Sequence, residues 1–303
     1  MFLIRQQLRT VHLVPLTAFD ASGQINVRLQ AEHTERMAAA GIRVFLPAAG
    51  TSEFHSLSPD EIVELVRITR QAASPDALVF APVGFQLPLA IATARRSLEV
   101  GADGIMFMPF VHPYLSDSGV RDYYHAVLNA AACPAVIYKT APIPSDPLLL
   151  ELAADERVVG VKYAVNNLHD FRRAVLTSGG QAEWLCGSAE RFAPYFMLAG
   201  AGGYTSGAGN ICPRLTLAMH AALAAGRYAE AMRLQQTMLP IEDFRGREGE
   251  SFSISMLKAA MSELGADFGP ARPPQRRPTP AEQAEISKIV AAVVAAEAEL
   301  SRT

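Results

Sequence analysis

The chain has 303 residues, half of them hydrophobic and 19% charged, with 27 basic against 30 acidic side chains. That balance excludes a disordered, collagen-like or disulfide-stapled protein, and the lack of a Lys/Arg-rich run excludes the electrostatic footprint of a nucleic-acid binder. Cys133, Cys186 and Cys212 are widely spaced and odd in number, which argues against a disulfide framework or a zinc knuckle and for a reducing, cytoplasmic setting.

Residues 1–10 lack the long apolar stretch of a secretory signal. The longest apolar runs, residues 215–226 and 289–296, fall short of the roughly 20 residues that span a bilayer. The chain therefore reads as soluble, with no membrane partner.

Short β-branched apolar runs alternate with segments of helical period from Thr10 to about Gly226. The expected strands are residues 11–16, 43–47, 78–83, 103–108, 135–138, 158–162, 183–186 and 202–205. They recur at roughly 20–35 residue intervals, as eight βα units closing into a (β/α)8 TIM barrel require. Ser58-Pro59-Asp60-Glu61 predicts a helix start with a capping box, and Thr279-Pro280-Ala281-Glu282 predicts another. Gly41, Gly101 and Gly200 stand where helices end before strands and are expected as left-handed caps. Beyond Gly226 only helical patterns remain, in residues 228–239, 251–264 and 281–300. The expected division is a barrel over residues 1–226 and a helical C-terminal extension over residues 227–303.

In such a barrel the chemistry is expected at the C-terminal ends of the strands. Lysine is scarce: only Lys139, Lys162, Lys258 and Lys288 occur. Lys162 ends the sixth strand, where alternation places it on one face with Val158 and Gly160. An amine buried there loses proton affinity and can attack a carbonyl to form a Schiff base; a lysine that snorkels out of the barrel fits the position equally well. Tyr138 ends the preceding strand, within reach of a proton relay, while Lys139 should face the helices or the surface. The loop after the second strand, Gly50-Thr51-Ser52-Glu53, offers hydroxyls and approachable backbone N–H groups to a carboxylate. A similar small polar loop, with Thr205, Ser206 and Asn210, follows the eighth strand. The histidines show no i, i+4 metal pair, and no metal site is expected. His112, near the end of the fourth strand, is expected in a solvated loop.

Together, Thr51-Ser52-Glu53, Tyr138, Gly160-Val161-Lys162 and the segment Ser206 to Asn210 resemble the dihydrodipicolinate synthase and N-acetylneuraminate lyase superfamily over nearly the whole chain. The resemblance implies that Lys162 forms a Schiff base with a 2-keto acid, that Tyr138 relays protons and that Thr51 with Ser52 binds the keto-acid carboxylate. Gly50, Thr205, Ser206 and Asn210 complete the expected substrate site. The resemblance also implies a homodimer or homotetramer and chemistry without a metal or organic cofactor.

Phe110 and Val111 stand where the synthases carry two tyrosines, and Ile143 where they carry a carboxylate-binding arginine. Residues 48–57, together with Phe244-Arg245-Gly246-Arg247-Glu248-Gly249 and residues 253–259, are similar instead to the 5-dehydro-4-deoxyglucarate dehydratases, although Lys139-Thr140 replaces their usual Asn-Arg. That resemblance implies dehydration and decarboxylation of a 2-keto-3-deoxy sugar acid. A pyruvate-dependent aldolase or synthase, or an inactive barrel that binds a keto acid, are the alternatives.

Overall fold

The computed structural model describes residues 1–300; the last three residues of the expected extension, 301–303, lie outside them. Eight parallel strands close a barrel in sequence order: β1 (Val11–Leu13), β2 (Val44–Phe45), β3 (Leu78–Val83), β4 (Gly104–Phe107), β5 (Ala135–Lys139), β6 (Val158–Tyr163), β7 (Glu183–Cys186) and β8 (Gly203–Ser206), with β8 pairing back onto β1. The expected TIM barrel is present. Each expected strand occurs, several of them shorter because residues beyond the ladder turn into loops.

Helices follow the strands: α2 (Val27–Ala39), α3 (Pro59–Ala72), α4 (Leu87–Glu99), α5 (Asp117–Ala131), α6 (Asp146–Ala153), α7 (Leu168–Ser178), α8 (Ala189–Leu198) and α9 (Pro213–Ala224). The Ser58 side chain accepts from the Glu61 N–H while Glu61 accepts from the Ser58 N–H, the reciprocal cap read from the sequence. Gly41, Gly101 and Gly200 have φ of 109°, 100° and 107°, and after each one the next N–H reaches back to the last helical turn, as at Ile42 to the Met37 carbonyl.

Alternation sorts the side chains into two layers. Phe80, Met106, Met108, Val136 and Leu185 fill the barrel, whereas Val79, Ala81, Ile105, Phe107 and Ile137 pack under the helices. The sequence does not disclose α1 (Phe2–Gln7), which leads into Leu8 against Gly160 and so plugs the N-terminal end of the barrel.

The register of β5 on β6 shifts between Ala135 and Val136, whose partners are Val158 and Gly160. Val159 is the extra residue and packs inside the barrel, while Val158 belongs to the outer layer. The expected face of Val158, Gly160 and Lys162 is thus corrected: the bulge detaches Val158 from it. Lys139 faces outward as expected but is buried, donating to the Pro142 and Pro144 carbonyls and standing 3.4 Å from Asp146.

After α9 come α10 (Tyr228–Arg245), a short turn α11 (Arg247–Glu250), α12 (Ser255–Glu263) and α13 (Pro280–Leu300). The second capping box is made between Thr279 and Glu282. A buried ion pair ties this region to the barrel: Lys258 Nζ lies 2.6 Å from Glu53 Oε1, and Glu53 Oε2 accepts from the Arg272 N–H. No described helix is long and apolar enough to cross a membrane.

Candidate active site

Strand pairing brings Tyr138 and Lys162 side by side, since they are direct partners in the β5–β6 register. Lys162 is 4% exposed, and its Nζ lies 3.7 Å from the centroid of the Tyr138 ring. Burial pulls the amine from 10.5 down to about 7. Burial also pushes the Tyr138 hydroxyl up to about 12, and the nearby Glu250 carboxylate adds to this. A neutral phenol thus stands beside an amine that burial shifts toward its unprotonated, nucleophilic form. Gly187 makes room for the lysine stem, because a Cβ there would stand 2.8 Å from the Ala164 Cβ and 3.2 Å from the Lys162 Cγ.

Both side chains line a cavity of about 450 Å³ at the C-terminal mouth of the barrel. Gly50, Thr51, Thr205 and Ser206 line it with them, so six of the expected site residues come together. Thr51 sits in a 3-10 turn, Gly50–Ser52, whose opening N–H groups have no partner within the turn.

Ser52 and Asn210 lie behind this wall, which corrects their expected place on the substrate. The Ser52 hydroxyl donates to the Pro15 carbonyl, and the Ser52 carbonyl accepts from Thr17 Oγ1 at 2.7 Å. Asn210 Oδ1 accepts from the Leu16 N–H and His33 Nε2, while its Nδ2 donates to the Val14 and Gly207 carbonyls. Both side chains have spent their polar atoms on joining the loops that carry the site.

Ser206 is partly committed as well: its hydroxyl donates to Glu190 and accepts from the Gly209 N–H at 2.8 Å. Glu190 is fully buried, and burial, reinforced by the Glu242 carboxylate, holds its carboxyl above the usual range.

The residues that sequence reasoning missed come from the C-terminal extension and the strand-end loops. Glu242, Arg245, Glu250 and Ser253 line the cavity, as do Arg191, Ser188, Asn166 and Thr140. Glu248, Gly249 and Glu250 all have positive φ, 49°, 66° and 68°, so the backbone reverses sharply and presents Glu250 to the mouth. The run Phe244 to Gly249 was the available signal, but its spacing does not reveal that α10 ends over the barrel.

Ile143 is absent from the cavity lining, and Phe110, Val111 and His112 border a separate apolar hollow of about 510 Å³ with Phe54, Phe85 and Tyr123. Among the described residues no cluster of three His, Cys, Asp or Glu side chains is placed to hold a metal ion.

Comparison with known proteins agrees with this architecture. The model of the dihydrodipicolinate synthetase family matches residues 7–293. A Streptomyces avermitilis protein named "probable 5-dehydro-4-deoxyglucarate dehydratase 1" is 28% identical over 287 residues, covering 91% of this chain and 90% of its own. A Saccharopolyspora erythraea protein named "probable 5-dehydro-4-deoxyglucarate dehydratase" is 30% identical over 285 residues, covering 91% of each. The crystal structure of dihydrodipicolinate synthase from Bacillus clausii superposes with a TM-score of 0.92 at 32% identity, over 95% of this chain and 99% of that one. The chain is thus a member of the dihydrodipicolinate synthetase family, a lyase built on an eight-stranded parallel barrel.

Proposed function

We propose that the protein dehydrates and decarboxylates a 2-keto-3-deoxy sugar acid of the 5-dehydro-4-deoxyglucarate type through a Schiff base on Lys162. The observation that carries this reading is the Lys162 amine, buried on the inner face of the barrel, lowered to about 7 and stacked on Tyr138 beneath a polar cavity. Relatives bearing that dehydratase name support the choice of substrate class.

Atoms are numbered from the keto-acid carboxyl as C1. The free amine attacks C2, and loss of water gives an iminium. The Thr51 hydroxyl and the N–H groups of Gly50 and Thr51, which open the turn, receive the C1 carboxylate. The iminium acidifies C3, whose proton passes to a base oriented by Tyr138, leaving an enamine. The enamine expels the C4 hydroxyl, which leaves as water after taking a proton from the Tyr138 phenol. The resulting conjugated iminium accepts the electron pair of the C5–C6 bond as carbon dioxide departs. Reprotonation and hydrolysis release 2,5-dioxopentanoate and the free lysine.

Product analysis tests the reading. Carbon dioxide and 2,5-dioxopentanoate support dehydration, whereas pyruvate would reassign the site to aldol cleavage. The proposal includes a cytoplasmic setting, which suits three free, buried cysteines. It also includes a homodimer or homotetramer, since Val111 and Tyr114, 80% and 85% exposed, form an apolar face that association would cover.

A further inference from the structure

Two of the residues that line the cavity with Lys162 carry a carboxylate, and only one of them is paired. Glu242 is 7% exposed and spends its charge on Arg245, whose Nη1 donates to Glu242 Oε1 at 2.5 Å. Glu250 is exposed, and its side chain makes no hydrogen bond or ion pair among the described residues. Its charged neighbours in the same backbone reversal have partners outside the cavity: Arg247 donates to Glu285 at 2.8 Å, and Glu248 accepts from Arg276 at 3.4 Å. Glu248 and Glu250 both take a positive φ, 49° and 68°, which costs a residue with a Cβ free energy. The reversal thus sends one carboxylate out to Arg276 and leaves the other, unpaired, on the cavity.

Imine chemistry at Lys162 needs a group that accepts a proton from C3, and the lining offers few. The lysine nitrogen is bonded to the substrate at that stage, and the Tyr138 hydroxyl keeps its own proton up to about 12. No histidine lines the cavity, guanidiniums do not accept protons, and hydroxyls are weaker bases than a carboxylate. Glu242 is held by Arg245. Glu250 remains, and it lies close enough to Tyr138 for its charge to act on the phenol, whose ring is 3.7 Å from the Lys162 nitrogen.

We propose that Glu250 is the catalytic base that takes the C3 proton from the Lys162 imine and returns it through Tyr138. The inference rests on the Schiff-base reading of the site and names the base that this reading requires. The C3–H bond breaks, its electron pair becomes the C2–C3 double bond of the enamine, and the iminium pair returns to the lysine nitrogen. The proton forms an O–H bond on Glu250. Once the Tyr138 phenol has protonated the departing C4 hydroxyl, the phenolate takes the proton from Glu250. One hydrogen and one hydroxyl have then left the substrate as water, and both side chains are restored. Exposure at the mouth also lets Glu250 exchange its proton with solvent, so a keto acid without a leaving group should exchange its C3 hydrogens.

Pyruvate is such a probe, and proton NMR of its methyl group in D2O reads the step on the full-length protein. Glu250→Gln should slow enzyme-dependent exchange by about 10²–10⁴-fold, the usual worth of a positioned base. Borohydride should still trap pyruvate on Lys162 in that variant, because attack on C2 does not use Glu250. In Glu250→Ala, added formate should restore part of the exchange, which a merely structural role would not allow. The Glu250 side chain holds no partner, so both variants should melt as the unaltered protein does. Exchange at the unaltered rate in Glu250→Gln, an adduct that falls in step with exchange, or formate that restores nothing would overturn the proposal. Absence of an adduct from the unaltered protein is a different failure: it removes the imine reading, and with it the need for this base.

Discussion

The Lys162 amine lies over the face of the Tyr138 ring, 3.7 Å from its centroid, rather than against the hydroxyl. The ring lids the amine and helps exclude water, while its hydroxyl remains free for the substrate. An ammonium gains about 0.5–2 kcal/mol over an aromatic face. Burial costs the charged form several kcal/mol. The net effect is the lowered amine, and it sets the pH behaviour of the site.

Imine formation needs the unprotonated lysine. With the amine near 7, the initial rate of hydrogen–deuterium exchange at the pyruvate methyl group rises with pH through about 7 and then levels. An unburied lysine would keep gaining up to the ordinary value of 10.5. Proton NMR of exchange against pH distinguishes the two profiles.

Tyr138→Phe keeps the ring over the amine and removes the proton donor. Turnover should fall by about 10²–10⁴ with little change in KM, and pyruvate should still be trapped on Lys162. A variant with full turnover would remove Tyr138 from the proton path. Steady-state kinetics beside a trapping assay supply both readouts.

Eight strands, their order and the pairing of Tyr138 with Lys162 were legible because period-2 runs and strand-end positions are local properties of a sequence. The bulge at Val159 was not, since an extra residue in β6 shows only against the register of β5. Ser52 and Asn210 misled for a related reason: a polar residue on a strand-end loop reads alike whether it faces substrate or, like Asn210, ties Leu16, Val14, Gly207 and His33 together. Arg245 and Glu242 stayed hidden because the sequence does not reveal that a helix after the barrel folds back over its mouth.

The Glu53–Lys258 pair predicts a stability effect that also reaches the site. Both side chains are buried, and Glu53 directly follows the turn that presents Thr51. Lys258→Met strands the carboxylate and should cost ~3–5 kcal/mol. KM for the keto acid should rise as the turn loosens. Urea denaturation gives the first number and kinetics the second; a loss under about 1 kcal/mol would mean that water reaches Glu53.

Glu190 predicts a stability trend with pH. Its folded-state carboxyl is held above the ordinary 4.5, so the fold favours the acid form. The stability this contributes is complete below 4.5 and is lost as pH climbs through the raised value. Glu190 Oε2 has no hydrogen-bond partner, whereas Oε1 accepts from Ser206 and Thr216, a pattern that glutamine can keep. Between about pH 5 and about pH 8 the Tm of Glu190→Gln should therefore gain on that of the unaltered protein. Parallel melting curves with no such gain would show that the carboxyl titrates normally.

Borohydride reduction in the presence of pyruvate, followed by intact mass and peptide mapping, tests the central claim most directly. The account predicts one covalent adduct per chain, dependent on the keto acid, carried by the peptide containing Lys162 and absent from Lys162→Ala. An adduct on another lysine, or none from folded protein with any 2-keto acid, would contradict it and leave Lys162 a buried amine without a part in the chemistry.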